Sequence, residues 1–305
     1  VVSMEKESFP EHHRSGYKRG YLNEDFLLFH LKDKKGDQLE YHYHDFYKII
    51  VFLSGKVNYL IEGKTYPLQP RDILLVTNKD IHKAIIDINI PYERFVIWLK
   101  PAFLEKNSSP QTNLLSCFEK ASREKRNLVR LDPESFHQLK NTLFELEAAW
   151  KDDSFGADIM KNTLLLHLVI YLNRVFSMSG ETAYHAKQDK VIDQIVTYIG
   201  KNLRNELTIE ILAEKFFISK STLMHRFKEQ TGYTVHNFIL QKRLIAAGIQ
   251  IRKGIPALEA SYDCGFSDYS SFVRAFQRFY GMSPRQYKKE QSGSLLHDKP
   301  DSSIL

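Results

Sequence analysis

From Phe26 to Lys100 the sequence breaks into seven short runs rich in β-branched and aromatic residues, and beyond Pro101 helical periodicity takes over. The runs are FLLFHL, YKIIVFL, VNYLIEG, KTYPL, DILLVT, AIIDINI and ERFVIWL, with turn formers between them at Ser54-Gly55, Gly63, Pro70, Asn78 and Pro91. Short runs of this composition between turn formers read as strands, and seven strands at this spacing suggest a sandwich or a small barrel. The chain is therefore expected to be an α+β multidomain protein, with an N-terminal β-barrel followed by helices.

The first long helix is expected at LDPESFHQLKNTLFELEAAW, with Asp132 as N-cap and Pro133 at the first helical position. Phe136, Leu139, Leu143, Leu146 and Trp150 recur on one face. The next, over 157–178, carries two apolar stripes, Ile159/Leu166/Ile170 and Leu164/Leu168/Leu172/Val175. Two stripes need two partners: either the helix is buried wholly within its own subunit, or one stripe meets a second copy in a homodimer. Residues 177–189 have a linker composition, and the tail after Glu290 is expected to be disordered.

A short pattern occurs twice. In LTIEILAEKFFISKSTLMHRFKEQTG, Thr208 can cap a helix facing inward through Ile211, Leu212 and Phe216, with the small Ala213 at the crossing. A turn at Phe217-Ile218 leads to a second helix capped by Ser219, with Leu223 and Phe227 on its inner side. In the second copy Gly265 supplies the left-handed turn, and Phe272 and Phe276 repeat the inner spacing. Ala257, Ala260 and Ser261 leave its first helix short of large aliphatics, a lack that Leu258 is expected to offset. The helix between the copies, 234–253, spans about 27 Å, and its Gly248 costs about 1 kcal/mol relative to Ala. Two helix-turn-helix units on such a rod suit successive major grooves about 34 Å apart.

Charge agrees with this. The net charge of +6 falls entirely within residues 189–290, which suggests a polyanionic partner there. Cys117 and Cys264 match no metal or redox spacing, as expected of a reducing, cytoplasmic compartment. The run LLLHLVIYL is less than half of the roughly 20 residues that span a bilayer, and the N-terminus has no apolar core of signal-peptide length, so no membrane partner is expected.

Residues 189–289 resemble the DNA-binding domain of the AraC/XylS family of transcriptional regulators. The resemblance rests on the first motif, on Arg243, Leu244 and Ala247 of the linker helix, and above all on GFSDYSSFVRAFQRFYGMSPRQYK. It implies double-stranded promoter DNA as partner, with base contacts from Ser221, Met224, His225, Tyr269, Ser270 and Arg274. Lys220, Arg226, Lys228 and Arg278 read as phosphate contacts. It further implies a homodimer and, for an activator, contact with RNA polymerase.

The segment from Glu40 to Ala84 resembles the cupin-like sensor half of many family members, through His42-x-His44, Gly55, Gly63, QPRD at 69–72 and His82. The resemblance implies a small-molecule effector, often a sugar, and His42, His44, Lys48, Tyr59, His82 and Trp98 suit a polar ligand. Cupins often place a metal-binding Glu where this chain has Lys48, a cation with no ligand oxygen. No cofactor, metal or catalytic constellation is therefore expected. The alternative is a metal-dependent cupin enzyme or metal sensor with a DNA-binding appendage, since three histidines can still hold zinc. The expected organisation is a barrel with N-terminal arm over 1–105, a helical dimerisation region over 106–186, a DNA-binding domain over 187–290 and a tail over 291–305. The two helix-turn-helix motifs fall at 208–229 and 256–279.

Overall fold

The computed structural model describes Leu22, residues 24–34, His44, and residues 46–178 and 189–293. His42, the N-terminal arm, most of the linker and the last residues of the tail lie outside them. The chain divides into two compact units, one of Tyr21–Lys242 and the other from Arg243 onward.

In the first unit the seven expected runs form β1 (Phe26–Asp33), β2 (Tyr47–Ser54), β3 (Val57–Ile61), β4 (Lys64–Pro67), β5 (Asp72–Val76), β6 (His82–Ile86) and β7 (Tyr92–Leu99). Helices α1 (Pro101–Lys106) and α2 (Ser116–Arg123) follow, then a strand the sequence did not announce, β8 (Leu128–Arg130). The strands do not close into a barrel. They make a five-stranded sheet, β1-β7-β2-β5-β8, and a three-stranded sheet, β4-β3-β6. The outer edge of β5, which a barrel would have to join to the smaller sheet, is taken by β8. Arg130 locks that pairing with two bonds to the fully buried Asp72, Nε to Oδ1 at 2.7 Å and Nη2 to Oδ2 at 2.9 Å.

Strand alternation separates two cores. On β2, Tyr47, Ile49 and Val51 join the cluster that packs against helices, while Ile50 and Phe52 join the cluster containing Tyr59 and Ala84 of the smaller sheet. With both faces covered, β2 and β5 read as continuous apolar runs.

The helical layer consists of α3 (Pro133–Trp150) and α4 (Ala157–Met178). Asp132 caps α3 as expected, accepting from the amides of Glu134 and Ser135 at 3.0 Å each. Leu139, Leu143 and Leu146 are buried against the sheet, with Phe136 and Trp150 half-buried beside them. On α4 the buried residues are Leu165, Leu168, Val169, Leu172 and Phe176, whereas Ile159 is 66% exposed. No described helix is long and apolar enough to cross a membrane.

The unit continues through α5 (Lys190–Lys201), α6 (Ile209–Lys215), α7 (Lys220–Thr231) and the start of α8 (Val235–Arg252). The second unit holds the rest of α8 with α9 (Ala257–Asp263), α10 (Tyr269–Tyr280) and α11 (Pro284–Gly293), so helix continues through residues 291–293 of the expected tail. Its core is aromatic: Phe272, Phe276, Phe279, Tyr280 and Tyr287 are buried together. Leu258 does not offset the small residues of α9, being 49% exposed. Ala260 and Ser261 face inward instead, and the Ser261 hydroxyl donates to the Leu258 carbonyl at 2.6 Å.

Candidate functional site

The α6–α7 and α9–α10 pairs turn in the same way. In the first, the Phe217 amide donates to Glu214 O at 3.2 Å and the Ile218 amide to Ala213 O at 3.0 Å. In the second, Gly265 donates to Tyr262 O at 2.9 Å and Phe266 to Ser261 O at 3.0 Å. Phe217 thus stands where Gly265 stands, and both are left-handed, with φ of 53° and 86°. The glycine needs no explanation; a bulky Phe there is strained, and its ring is 95% exposed. After the turn the second pair has one extra residue, so its helix is capped by Asp268 instead of a Ser. Asp268 accepts from the amides of Ser270 and Ser271 at 3.3 and 2.6 Å, and its bonds from Ser271 hold its carboxyl below the usual range. Ser219 caps α7 by accepting from the Thr222 amide at 3.1 Å.

Leu223, Phe227, Phe272 and Phe276 are all fully buried, which fixes the outward face of each second helix. Ser221, Met224, His225 and Lys228 lie exposed on α7; Ser270, Arg274 and Arg278 lie exposed on α10, with Tyr269 half-buried against Phe272. The Arg274 guanidinium is steadied by donation to Ser271 Oγ at 2.9 Å. Lys220 pairs with Glu210 at 2.8 Å, an exposed pair that costs little to open. Arg226 is partly exposed on α7. Its guanidinium pairs with Asp189, the N-cap of α5, and ties α7 to α5.

Five of the six expected ligand-cluster residues come together; the sixth, His42, lies outside the described residues. Lys48 on β2 and Trp98 on β7 are register partners, and Tyr59 on β3 and His82 at the start of β6 come from the other sheet. The Nε2 atoms of His44 and His82 are 3.1 Å apart, and Lys48 Nζ is 3.4 Å from His82 Nε2. His82 Nδ1 lies 3.0 Å from the Asp80 carbonyl, which can only accept. Nδ1 therefore carries a proton. Tyr59 stacks on His82 at 5.9 Å, and Phe46, which the sequence did not single out, stacks between His44 at 4.5 Å and Trp98 at 4.8 Å. Burial, with Arg94 as a lesser cause, lowers the Lys48 pKa to about 7. Among the described residues no group of three His, Cys, Asp or Glu is placed to hold a metal ion.

The β5–β6 segment that carries His82 also meets the helices. Glu62 and Gly63 form the left-handed turn between β3 and β4. Glu62 Oε1 accepts from the Ile81 amide at 2.7 Å, and its Oε2 accepts from Lys242 Nζ of α8 at 3.0 Å. The same ammonium donates to the Lys79 carbonyl at 3.0 Å. A Cβ on Gly63 would press on Thr231 Cγ2 of α7 at 3.0 Å, and Lys125 pairs with Asp193 of α5 at 2.8 Å. No local pattern in the sequence could have linked residue 62 to residue 242.

A profile described as an AraC-like ligand binding domain matches residues 28–169, and one described as a helix-turn-helix domain matches residues 212–290. The chain is similar to the HTH-type transcriptional activator RhaS of Salmonella arizonae, 24% identical over 254 residues covering 81% of this chain and 87% of the relative. It is 27% identical to the probable transcriptional regulator LumQ of Photobacterium leiognathi over 249 residues, 81% of this chain and 91% of that one. Among solved structures, the C-terminal domain of the two-component response regulator yesN from Fusobacterium nucleatum is similar at 25% identity and a TM-score of 0.32, covering 33% of this chain and 99% of that one.

Proposed function

Because this chain belongs to the AraC/XylS family of transcriptional regulators, we propose that it is an effector-responsive activator that reads promoter DNA through two helix-turn-helix units. The observation that carries this reading is the repeated turn, with matching hydrogen bonds at Phe217-Ile218 and Gly265-Phe266 and an exposed polar face on each following helix.

On this reading α7 and α10 each enter a major groove. Ser221, Met224 and His225 on the one, and Tyr269, Ser270 and Arg274 on the other, face the base edges. Arg274 suits guanine, whose O6 and N7 accept two bonds from one guanidinium. Met224 has no donor and offers only apolar contact, as to a thymine methyl. Lys220, Arg226, Lys228 and Arg278 hold phosphates, Arg226 while anchored to Asp189. In the N-terminal half, His44, Lys48, Tyr59, His82 and Trp98 form the small-molecule site, and the exposed Ile159 with Leu166 and Ile170 beside it offers an apolar strip on α4 for a homodimer. Contact with RNA polymerase follows from the role of an activator.

Mapping of bound genomic DNA followed by footprinting tests the reading. Two protected patches per subunit are expected; a single short patch, or operator affinity unaffected by removal of either unit, would overturn it.

A further inference from the structure

The small-molecule site has a charge that the described residues do not balance. Lys48 follows the alternation of Ile50 and Phe52 into the space between the sheets and is 8% exposed. Its ammonium has three donors, and the group facing it is His82 Nε2 at 3.4 Å. No carboxylate among the described residues pairs with Lys48. The other cation near it, Arg94, shares its face of the sheet but is already met by Asp33 Oδ2 at 2.9 Å and the Tyr92 carbonyl at 3.0 Å. His82 turns its Nδ1–H to the Asp80 carbonyl and its Nε2 to Lys48, so no described carboxylate stands between the ammonium and the space it enters. A buried charge without a partner is costly, and a bound anion removes that cost.

Resting on the reading of this half as ligand-binding, we propose that the effector is a small organic monocarboxylate whose carboxylate pairs with Lys48 and whose body lies against Tyr59 and Trp98. A carboxylate offsets the Lys48 ammonium, which a neutral sugar would leave uncompensated. The lowered Lys48 pKa agrees, since burial is its main cause.

The test uses the full chain and matched probes that share a ring: galacturonate, galactose and galactose 6-phosphate, and likewise benzoate and benzyl alcohol. Thermal unfolding and calorimetry are run on the wild type, Lys48→Met and Lys48→Arg, with operator binding measured in parallel. A carboxylate is expected to raise Tm where its neutral counterpart does not. Affinity is expected to fall about 10- to 100-fold in Lys48→Met and to recover in part in Lys48→Arg. Equal shifts from the neutral compound, a larger shift from the phosphate ester, undiminished carboxylate binding by Lys48→Met, or no shift from any carboxylate each overturn the inference. Specific operator binding that persists in those cases leaves the regulator reading standing, while its absence sinks that reading separately.

Discussion

Gly248 of α8 lies against the Tyr280 hydroxyl. A Cβ built on Gly248 would meet Tyr280 Oη at 2.1 Å and Cζ at 2.7 Å, and that hydroxyl donates to the Leu244 carbonyl at 3.1 Å. Glycine inside a helix ordinarily costs about 1 kcal/mol against alanine, so the sequence reads as a weakness. In the structure the missing side chain makes room for a ring that is itself stacked on Phe276 at 4.1 Å. Gly248→Ala should therefore destabilise the protein by about 1–3 kcal/mol. Denaturant unfolding of the full chain checks this, and a gain in stability would contradict the packing account.

Glu62 and Lys242 join the β3–β4 turn to α8, each side chain only 13% exposed. Glu62→Gln or Lys242→Met alone should cost about 1–3 kcal/mol, because each leaves its partner buried and uncompensated. A double-mutant cycle should give a coupling of about 0.5–3 kcal/mol. Strict additivity would show that the contact contributes nothing in solution.

Phe217 holds a left-handed conformation with its ring in solvent. Phe217→Gly should remove about 1 kcal/mol of backbone strain and stabilise the first helix pair, less the extra entropy glycine loses on folding. Thermal unfolding reads the sign; clear destabilisation would mean the ring packs on something in the free protein.

Lys48 makes stability depend on pH. Its pKa is about 7 in the folded protein against 10.5 ordinarily, so between these values the unfolded chain binds more protons. Stability should accordingly rise with pH from about 7 towards 10. Below about pH 7 the penalty is complete, an upper bound of about 5 kcal/mol. Tyr59, Cys117 and Cys264, whose pKa values burial raises, work the other way where cysteine and tyrosine ionise in the unfolded chain, from about pH 8.5 upward, and Lys64 works the same way as Lys48, so the comparison with Lys48→Met assigns the slope. Lys48→Met should be more stable than wild type at pH 6–7 and show less of this slope when unfolding is followed across pH. An identical slope in both proteins would assign it to other groups.

Arg274 and Lys228 should fail differently. Arg274→Ala is expected to relax preference at one base position, with a loss of about 1–3 kcal/mol on the preferred sequence. Lys228→Ala should weaken all sequences alike and lower the salt slope by about 1. Binding titrations on operator variants at several salt concentrations separate the two, and an equal loss on every sequence from Arg274→Ala would remove its role as a base reader.

The seven strands, the Asp132 cap and the two helix pairs could be read directly because each is a local affair: alternation, a capping side chain, a four-residue spacing of buried residues. The same holds for the outward faces of α7 and α10, which follow once Leu223, Phe227, Phe272 and Phe276 are known to point inward. Where the reading slipped, a distant partner was responsible. Only folding sets Asp189 beside Arg226. Leu258 looked like core, but Ala260 and Ser261 take the inward positions. A barrel was expected, but β8, too short to show any periodicity, takes the edge of β5.

The sequence by itself determined which segments are strands and helices and which faces are apolar, since backbone preference and side-chain periodicity act over a few residues. Tertiary structure alone decided that Lys48, His44, His82 and Tyr59 meet between two sheets, that Glu62 grips Lys242, and that Gly248 makes room for Tyr280. These contacts join residues many positions apart, and their energies depend on burial and on partners that exist only once the chain has closed around them.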